Sequence, residues 1–294
     1  MSTVLITGAG TGIGNLTARS LARAGHTVYA SMRNTSDDDA QGLVRWGTGE
    51  GFDVRTITLD VQSEESAQEA VAAVVAEAGQ LDVVVQNAGH LAIGYVESFT
   101  AEDIAHLIDV NVLGAQRVNR AVLPHMRERG TGTLLYVGST SIIDVPPFLG
   151  PYVASKAAFD VLAQATRYEV APLGIESVIV MPGPFTRGTA HFPNASRASD
   201  SAVAAAYAEL DPLVARNLEA TNSLFDEGVN PDPSTVADEI TRILALPFGE
   251  RPFRSIVDFT RFSVDDIVER TEAHITEAMN HMAFQQLLTT KQNG

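Results

Sequence analysis

The chain has 294 residues, 45% of them hydrophobic, and a formal net charge of −16 from 20 Lys+Arg against 36 Asp+Glu. That balance leaves no basic face to neutralise phosphates, which argues against nucleic acid and against an anionic membrane surface as partners. Cysteine is absent, so disulfides, thiolate metal sites and cysteine nucleophiles are excluded, and the seven histidines show no metal-ligand spacing.

No apolar run reaches ~18 residues, so no transmembrane helix is expected. The N-terminus enters a strand at once, at residues 3–7, without a signal-peptide pattern. A soluble cytoplasmic protein is the expectation. The strand leads into a glycine-rich turn and a helix over residues 15–24, stopped by Gly25. Residues 26–31 form the second strand, followed by a short polar connection with Asp37, Asp38 and Asp39. The third strand spans 54–59, and Ser63 with Glu64 and Glu65 opens a helix carrying Val71, Val74 and Val75. Residues 81–86 read as a strand buried on both faces. Thr100 caps a long helix through about residue 127, and residues 133–137 are the fifth strand. A helix starting near Pro151 runs to about Gly174, before a strand at 175–181. This alternation predicts a single α/β domain with a doubly wound, mostly parallel sheet and ligands at the strands' carboxyl ends.

After Pro182 the pattern changes. Residues 187–232 read as a helical substrate lid, 235–246 as a helix and 252–258 as an edge strand. Apolar residues from Val264 to Met282 recur at helical spacing, so residues 263–290 are expected to form a C-terminal helical extension.

Chemistry is signalled first by a lysine. Only Lys156 and Lys291 occur, against 18 arginines, and Lys156 lies four residues after Tyr152. Residues i and i+4 share a helix face, so phenol and ammonium point into one space. A phenol titrates near ~10 unaided, and a neighbouring positive charge is expected to lower that, giving a proton donor. The turn Thr7-Gly8-Ala9-Gly10-Thr11-Gly12-Ile13-Gly14 follows a strand and opens a helix, the context of a pyrophosphate site.

The TGxxxGxG turn, Asn87-Ala88-Gly89 after the fourth strand and Tyr152-x-x-x-Lys156 after the fifth resemble the short-chain dehydrogenase/reductase family. The resemblance spans residues 2–189, with a looser echo to 258, and is nearest the branch of 17β-hydroxysteroid and retinol dehydrogenases. It implies a Rossmann fold and roles residue by residue. Ser139, with Ser141 as the neighbouring alternative, would hydrogen-bond a substrate carbonyl oxygen, and Tyr152 would exchange the proton there. Lys156 would hold the nicotinamide ribose and lower the tyrosine pKa, and Asn111 would position a relay water. Gly8, Gly10, Thr11, Gly12, Ile13 and Gly14 would hold the pyrophosphate, Asp60 and Val61 the adenine, and Asn87, Ala88 and Gly89 the adenosine ribose. Pro182 and Gly183 begin the segment covering the nicotinamide. The threonine usual five residues after that proline is here Arg187, which leaves Thr186 or Thr189 for the carboxamide.

The second strand ends Ser31-Met32-Arg33, without the carboxylate that binds a ribose 2′-hydroxyl. A guanidinium suits a 2′-phosphate, so NADP(H) is expected, with Ser31 as a helper and NAD(H) as the alternative. Leu91, Ile93, Tyr95, Val145, Pro146, Phe148, Phe185 and Phe192 are expected to ring the pocket, with Phe148 and Phe185 touching an apolar carbonyl or alcohol. His90 is read as capping its strand rather than reaching the substrate. Competing readings are a nucleotide-sensing protein without catalysis and an epimerase relative. Assembly as a homodimer or homotetramer through the Asn111 and Tyr152 helices is implied by the resemblance.

Overall fold

Seven short strands pair side by side in the computed structural model, which describes residues 1–292. They are β1 (Thr3–Ile6), β2 (Thr27–Met32), β3 (Val54–Thr58), β4 (Val83–Gln86), β5 (Gly132–Val137), β6 (Ile175–Pro182) and β7 (Arg254–Val257). The order is β3-β2-β1-β4-β5-β6-β7, every pair parallel, with Val4 opposite Val83 and Pro182 opposite Val257. Strands β1, β4, β5 and β6 are buried along their whole length, because helices cover both faces. The order in which strands are added reverses between β1 and β4, which opens a crevice at their carboxyl ends. The residue 252–258 edge strand is therefore present, as β7.

One face of the sheet is covered by α1 (Gly12–Arg23) and α2 (Asp38–Glu50). The other carries α3 (Glu64–Ala78) and, past α4 (Ala101–Ile108), α5 (Gly114–Arg129). After α6 (Ser141–Asp144), α7 (Gly150–Val170) completes that second face, where Val71, Val118, Val122, Met126, Phe159 and Ala163 pack on Leu5, Val84 and Leu134. Short helices α8 (Ser201–Ala205), α9 (Asp211–Ala215) and α10 (Asn217–Asn222) lie within the expected lid. Helix α11 (Ser234–Ala245) returns to the first face, burying Val236, Ile240 and Ile243. Helix α12 (Asp265–His281) is the last α-helix among the described residues, followed by a 3-10 turn at Gln285–Leu288.

Two expectations need correction. The polar connection after β2 is in fact the start of α2: the Asp37 carboxylate caps it by accepting from the Ala40 N–H (2.9 Å), and Asp38 and Asp39 favour its positive end. The long helix from Thr100 is not continuous. Thr100 and Asp103 form a capping box at its start, but Asp109–Leu113 widens into a π-turn before α5. That extra residue turns Asn111 inward, where it is 2% exposed. The C-terminal extension docks at the sheet edge. Arg254 of β7 bonds Asp160 of α7 at 2.6 Å, both side chains 8% exposed, and reaches Glu272 of α12 at 3.4 Å.

Candidate active site

The glycine turn after β1 is fastened from the neighbouring strand. Thr7 Oγ1 accepts from the N–H groups of Asn87 (2.9 Å) and Ala88 (3.0 Å), and the Asn87 amide donates to the carbonyls of Thr7 (2.9 Å) and Gly8 (3.1 Å). A Cβ at Gly14 would lie 2.4 Å from Gly8 O and 2.5 Å from Asn87 Nδ2, so only glycine lets the helix start this close. Gly8, at φ +66°, would place its Cβ 2.9 Å from Ala88 Cα. At Gly10 and Gly12, by contrast, nothing approaches nearer than 3.9 and 3.8 Å. Thr11 occupies the N-cap of α1 but makes no side-chain cap bond. The first-turn amides of α1 therefore have no intrahelical partner and face an open turn. That fits a pyrophosphate.

At the next carboxyl ends, α7 brings Tyr152 and Lys156 to one face, both buried at 6% and 8% exposure. Lys156 Nζ donates to Val137 O at the end of β5 (3.0 Å) and lies 5.2 Å over the Phe159 ring. Ser139, two residues past β5, shares a 2.8 Å hydroxyl contact with Ser141 and stands near enough to the phenol to favour its ionised form. The expected lowering of the tyrosine pKa by Lys156 is absent. Burial pushes Tyr152 up to about 12, with only the Ser139 hydroxyl pulling down, and burial pushes Lys156 down to about 8. Asn111 spends its side chain on protein. Its Oδ1 accepts from His90 N–H (2.9 Å), and its amide donates to His90 O (3.0 Å) and Ser155 Oγ (2.9 Å).

Other expected residues divide. Arg33 is exposed just past β2, forms no ion pair among the described residues, and its charge acts on the His90 ring. Asp60 accepts from Gln62 N–H on Oδ1 only, and Val61 is tied to Arg117 through its carbonyl (3.0 Å). Gly89 abuts Asn111, and Gly183 is bonded to Val257 O (2.9 Å), as the last rung beside Pro182. Ser31 is misassigned as a phosphate helper: it is 0% exposed and its hydroxyl donates to Ile6 O (2.9 Å) inside the sheet. Phe185 is also misassigned. It packs in the core under α11, edge-on to Phe259, rather than at the site. Thr186 is occupied by Asn222 Oδ1 (2.6 Å), whereas Thr189 packs over Gly12.

An apolar cluster adjoins Tyr152: Leu91, Ile93, Phe99, Leu149 and Val153, with Phe148 and Phe192 packed against it. Tyr95 instead stacks on Tyr207 and donates to Asp211 (2.7 Å), and Val145 points to solvent. The segment after β6 is strapped over this cluster, Ile93 N–H donating to Ser196 O (3.0 Å) and Ser196 N–H to Leu91 O (2.8 Å). The sequence reading gave no weight to His191, whose ring meets Tyr152 edge-on at 5.7 Å. No spacing in the sequence marks it.

Comparison with known proteins identifies the family. A family model described as short chain dehydrogenase matches residues 2–199. Over 185 residues the chain is 33% identical to a 3-ketodihydrosphingosine reductase of Bacteroides thetaiotaomicron, covering 63% of this chain and 64% of that protein. It is 34% identical over 189 residues to 17-beta-hydroxysteroid dehydrogenase type 1 of Homo sapiens, covering 62% of this chain and 56% of that one. The chain thus spans under two thirds of the length of these two relatives. Among solved structures, a short-chain dehydrogenase from Streptomyces avermitilis is similar at a TM-score of 0.72 and 28% identity, covering 96% of this chain and 94% of that one.

Proposed function

The chain belongs to the short-chain dehydrogenase family, oxidoreductases of CH–OH and carbonyl groups, and from that premise we propose an NADP(H)-dependent enzyme interconverting a ketone or aldehyde and its alcohol on a mainly apolar small molecule. One observation carries the reading: Ser139, Tyr152 and Lys156 meet beside a glycine turn whose helix end is uncapped. When bound, the nicotinamide supplies or takes the hydride. The protein's share is binding, orientation and the proton.

The amides around Gly10, Thr11, Gly12 and Ile13 would hold the pyrophosphate, with Gly8 and Gly14 permitting the turn. Arg33 would pair with the 2′-phosphate, and Asp60 keeps one carboxylate oxygen free for the adenine end. Lys156, anchored by one of its three donors on Val137 O, has two left for ribose hydroxyls. Pro182, Gly183 and Thr189 would cover the nicotinamide. The Ser139 and Tyr152 hydroxyls would hold the substrate oxygen, and charge developing there is met by the phenol's proton. Residues 187–232 form the lid, and the cluster around Leu91, Ile93, Phe148 and Phe192 accounts for an apolar substrate.

Two variants test the reading. Tyr152→Phe should lower carbonyl reduction by about 10²- to 10⁴-fold while NADPH still binds; undiminished turnover overturns the mechanism. Arg33→Ala should raise the KM for NADPH by about 10- to 100-fold and leave that for NADH nearly unchanged. Equal changes for both cofactors would refute the preference.

A further inference from the structure

His191 brings to Tyr152 a polar ring that the proposed chemistry does not use. It meets the phenol ring edge-on, centroids 5.7 Å apart and planes at 68°, within the range of direct aromatic contact. The segment that carries it is fixed on both sides. Before it, Thr189 Oγ1 accepts from the His191 N–H (3.4 Å), and Thr189 packs over Gly12 of the glycine turn. After it, Asn194 N–H donates to Ala190 O (2.9 Å) and Ala195 N–H to Phe192 O (3.2 Å), and Ser196 is then strapped to Leu91 and Ile93. The segment therefore runs from the glycine turn to the apolar cluster, with the imidazole beside the phenol.

Neither ring nitrogen of His191 has a hydrogen-bond partner among the described residues, and neither is sealed from solvent. Burial, reinforced by Lys156 and His90, pushes the ring's pKa down to about 4. The imidazole is therefore neutral at working pH, with one N–H donor and one bare acceptor. Leu91, Ile93, Leu149, Phe148 and Phe192 of the adjoining cluster offer it only apolar surface. A wholly apolar substrate would displace water from the imidazole and leave its nitrogens unpaired, which disfavours binding. A hydroxyl relieves that cost whichever tautomer is present, because it both donates and accepts. Since the two rings touch, a carbonyl held on the phenol brings its nearest carbons, not a remote end, within reach of the imidazole.

We infer that His191 is a specificity-determining residue that hydrogen-bonds the substrate and selects ketones bearing a hydroxyl one or two carbons from the reacting carbonyl. This role rests on the reductase reading above and narrows its substrate class. The apolar cluster takes the hydrocarbon part, Ser139 and Tyr152 the carbonyl oxygen, and His191 the hydroxyl. Three points of attachment fix which face of the carbonyl meets the hydride. His191 itself neither gains nor loses a proton.

The test uses the full chain with NADPH and three probes: propiophenone and its α-hydroxy and β-hydroxy derivatives. Their intrinsic reactivities differ, so the readout is the kcat/KM for a hydroxyketone divided by that for propiophenone, compared between the natural chain and its variants. His191→Phe keeps the edge-on ring without nitrogens, and the larger of the two ratios should fall by about 10- to 100-fold. His191→Gln keeps a donor and an acceptor and should hold most of the ratio. Without turnover, ¹⁵N NMR of histidine-labelled protein with NADP⁺ should show the His191 signal moving when a hydroxyketone is added and staying in place with propiophenone. Ratios unchanged in His191→Phe, including a variant slowed alike on all three probes, overturn the role, as does a signal that answers alike to all three. With an inactive Tyr152→Phe, either result strikes this role and leaves the reductase reading standing. Turnover that survives Tyr152→Phe strikes the reductase reading itself.

Discussion

Lys156 holds an ammonium where burial works against it. It is 8% exposed, and its pKa falls from 10.5 to about 8 because no carboxylate offsets the desolvation. Between those two values the unfolded chain binds more protons than the folded one, so stability should rise with pH across that window and level off below about 8. The difference corresponds to roughly 3 kcal/mol. Urea unfolding at stepped pH should show this rise in the natural chain and lose it in Lys156→Met, the difference between the two curves being the readout. Parallel curves would sink the assignment. The Tyr-to-Lys spacing made the shared helix face legible in the sequence but not its depth, and depth reverses the expected tyrosine shift. With its pKa near 12 the phenol keeps its proton at neutral pH, as a proton donor to a carbonyl must. Ser31 and Phe185 failed for a related reason. Their positions along the chain adjoin the site, while their side chains point into the sheet and the core.

Among the elements, Asp103 joins two that have separate jobs. Its Oδ2 accepts from Thr100 N–H (3.0 Å) at the start of α4, and also from the Ser199 N–H (3.0 Å) and hydroxyl (2.8 Å) in the segment after β6. These bonds hold its carboxyl below the usual range. Asp103→Ala should therefore free the 187–232 segment more than it harms α4, which keeps the Thr100 cap residue and buried Leu107. Limited proteolysis should cut within residues 187–232 faster, and the KM for the carbonyl substrate should rise while secondary structure by circular dichroism is kept. Unchanged cleavage rates would show that the Leu91–Ser196 strap alone holds the segment. The helix cap at Thr100 was legible, as its residue types carry the signal. The π-turn was not, because Asp109 to Leu113 are compatible with ordinary helix and only the bonds from Asn111 to His90 favour the inserted residue. Helix α2 was hidden by Gly42, Gly47 and Gly49, which lower helix propensity. Gly47 is there for packing, since a Cβ would sit 3.0 Å from that of Val54.

At the scale of the whole molecule, the parallel sheet and its crevice were legible because short, mostly apolar strands alternate with helices along the chain. The docking of the C-terminal extension was not, since it rests on tertiary bonds, Arg254 with Glu272 of α12 (3.4 Å) and, beyond that helix, Arg167 with Leu288 O (2.8 Å). The surface left uncovered bears on assembly. Val161 and Leu162 on α7 are 64% and 44% exposed, Leu113 beside α5 is 42% exposed, and a shallow cleft between the two helices is lined by Ala115, Gln116, Phe159 and Leu162. Adjacent exposed aliphatics of this kind mark a contact surface when they form one patch. A second copy of the chain is the occupant we propose, which makes α7 both the carrier of Tyr152 and Lys156 and the dimer contact. Val161→Glu with Leu162→Glu should then shift the mass by light scattering from dimer or tetramer to monomer. Because both side chains already face solvent, the monomer itself should lose little stability, about 0.5 kcal/mol for each change. A natural chain that is monomeric at micromolar concentration, or a double variant that stays assembled, would refute this interface.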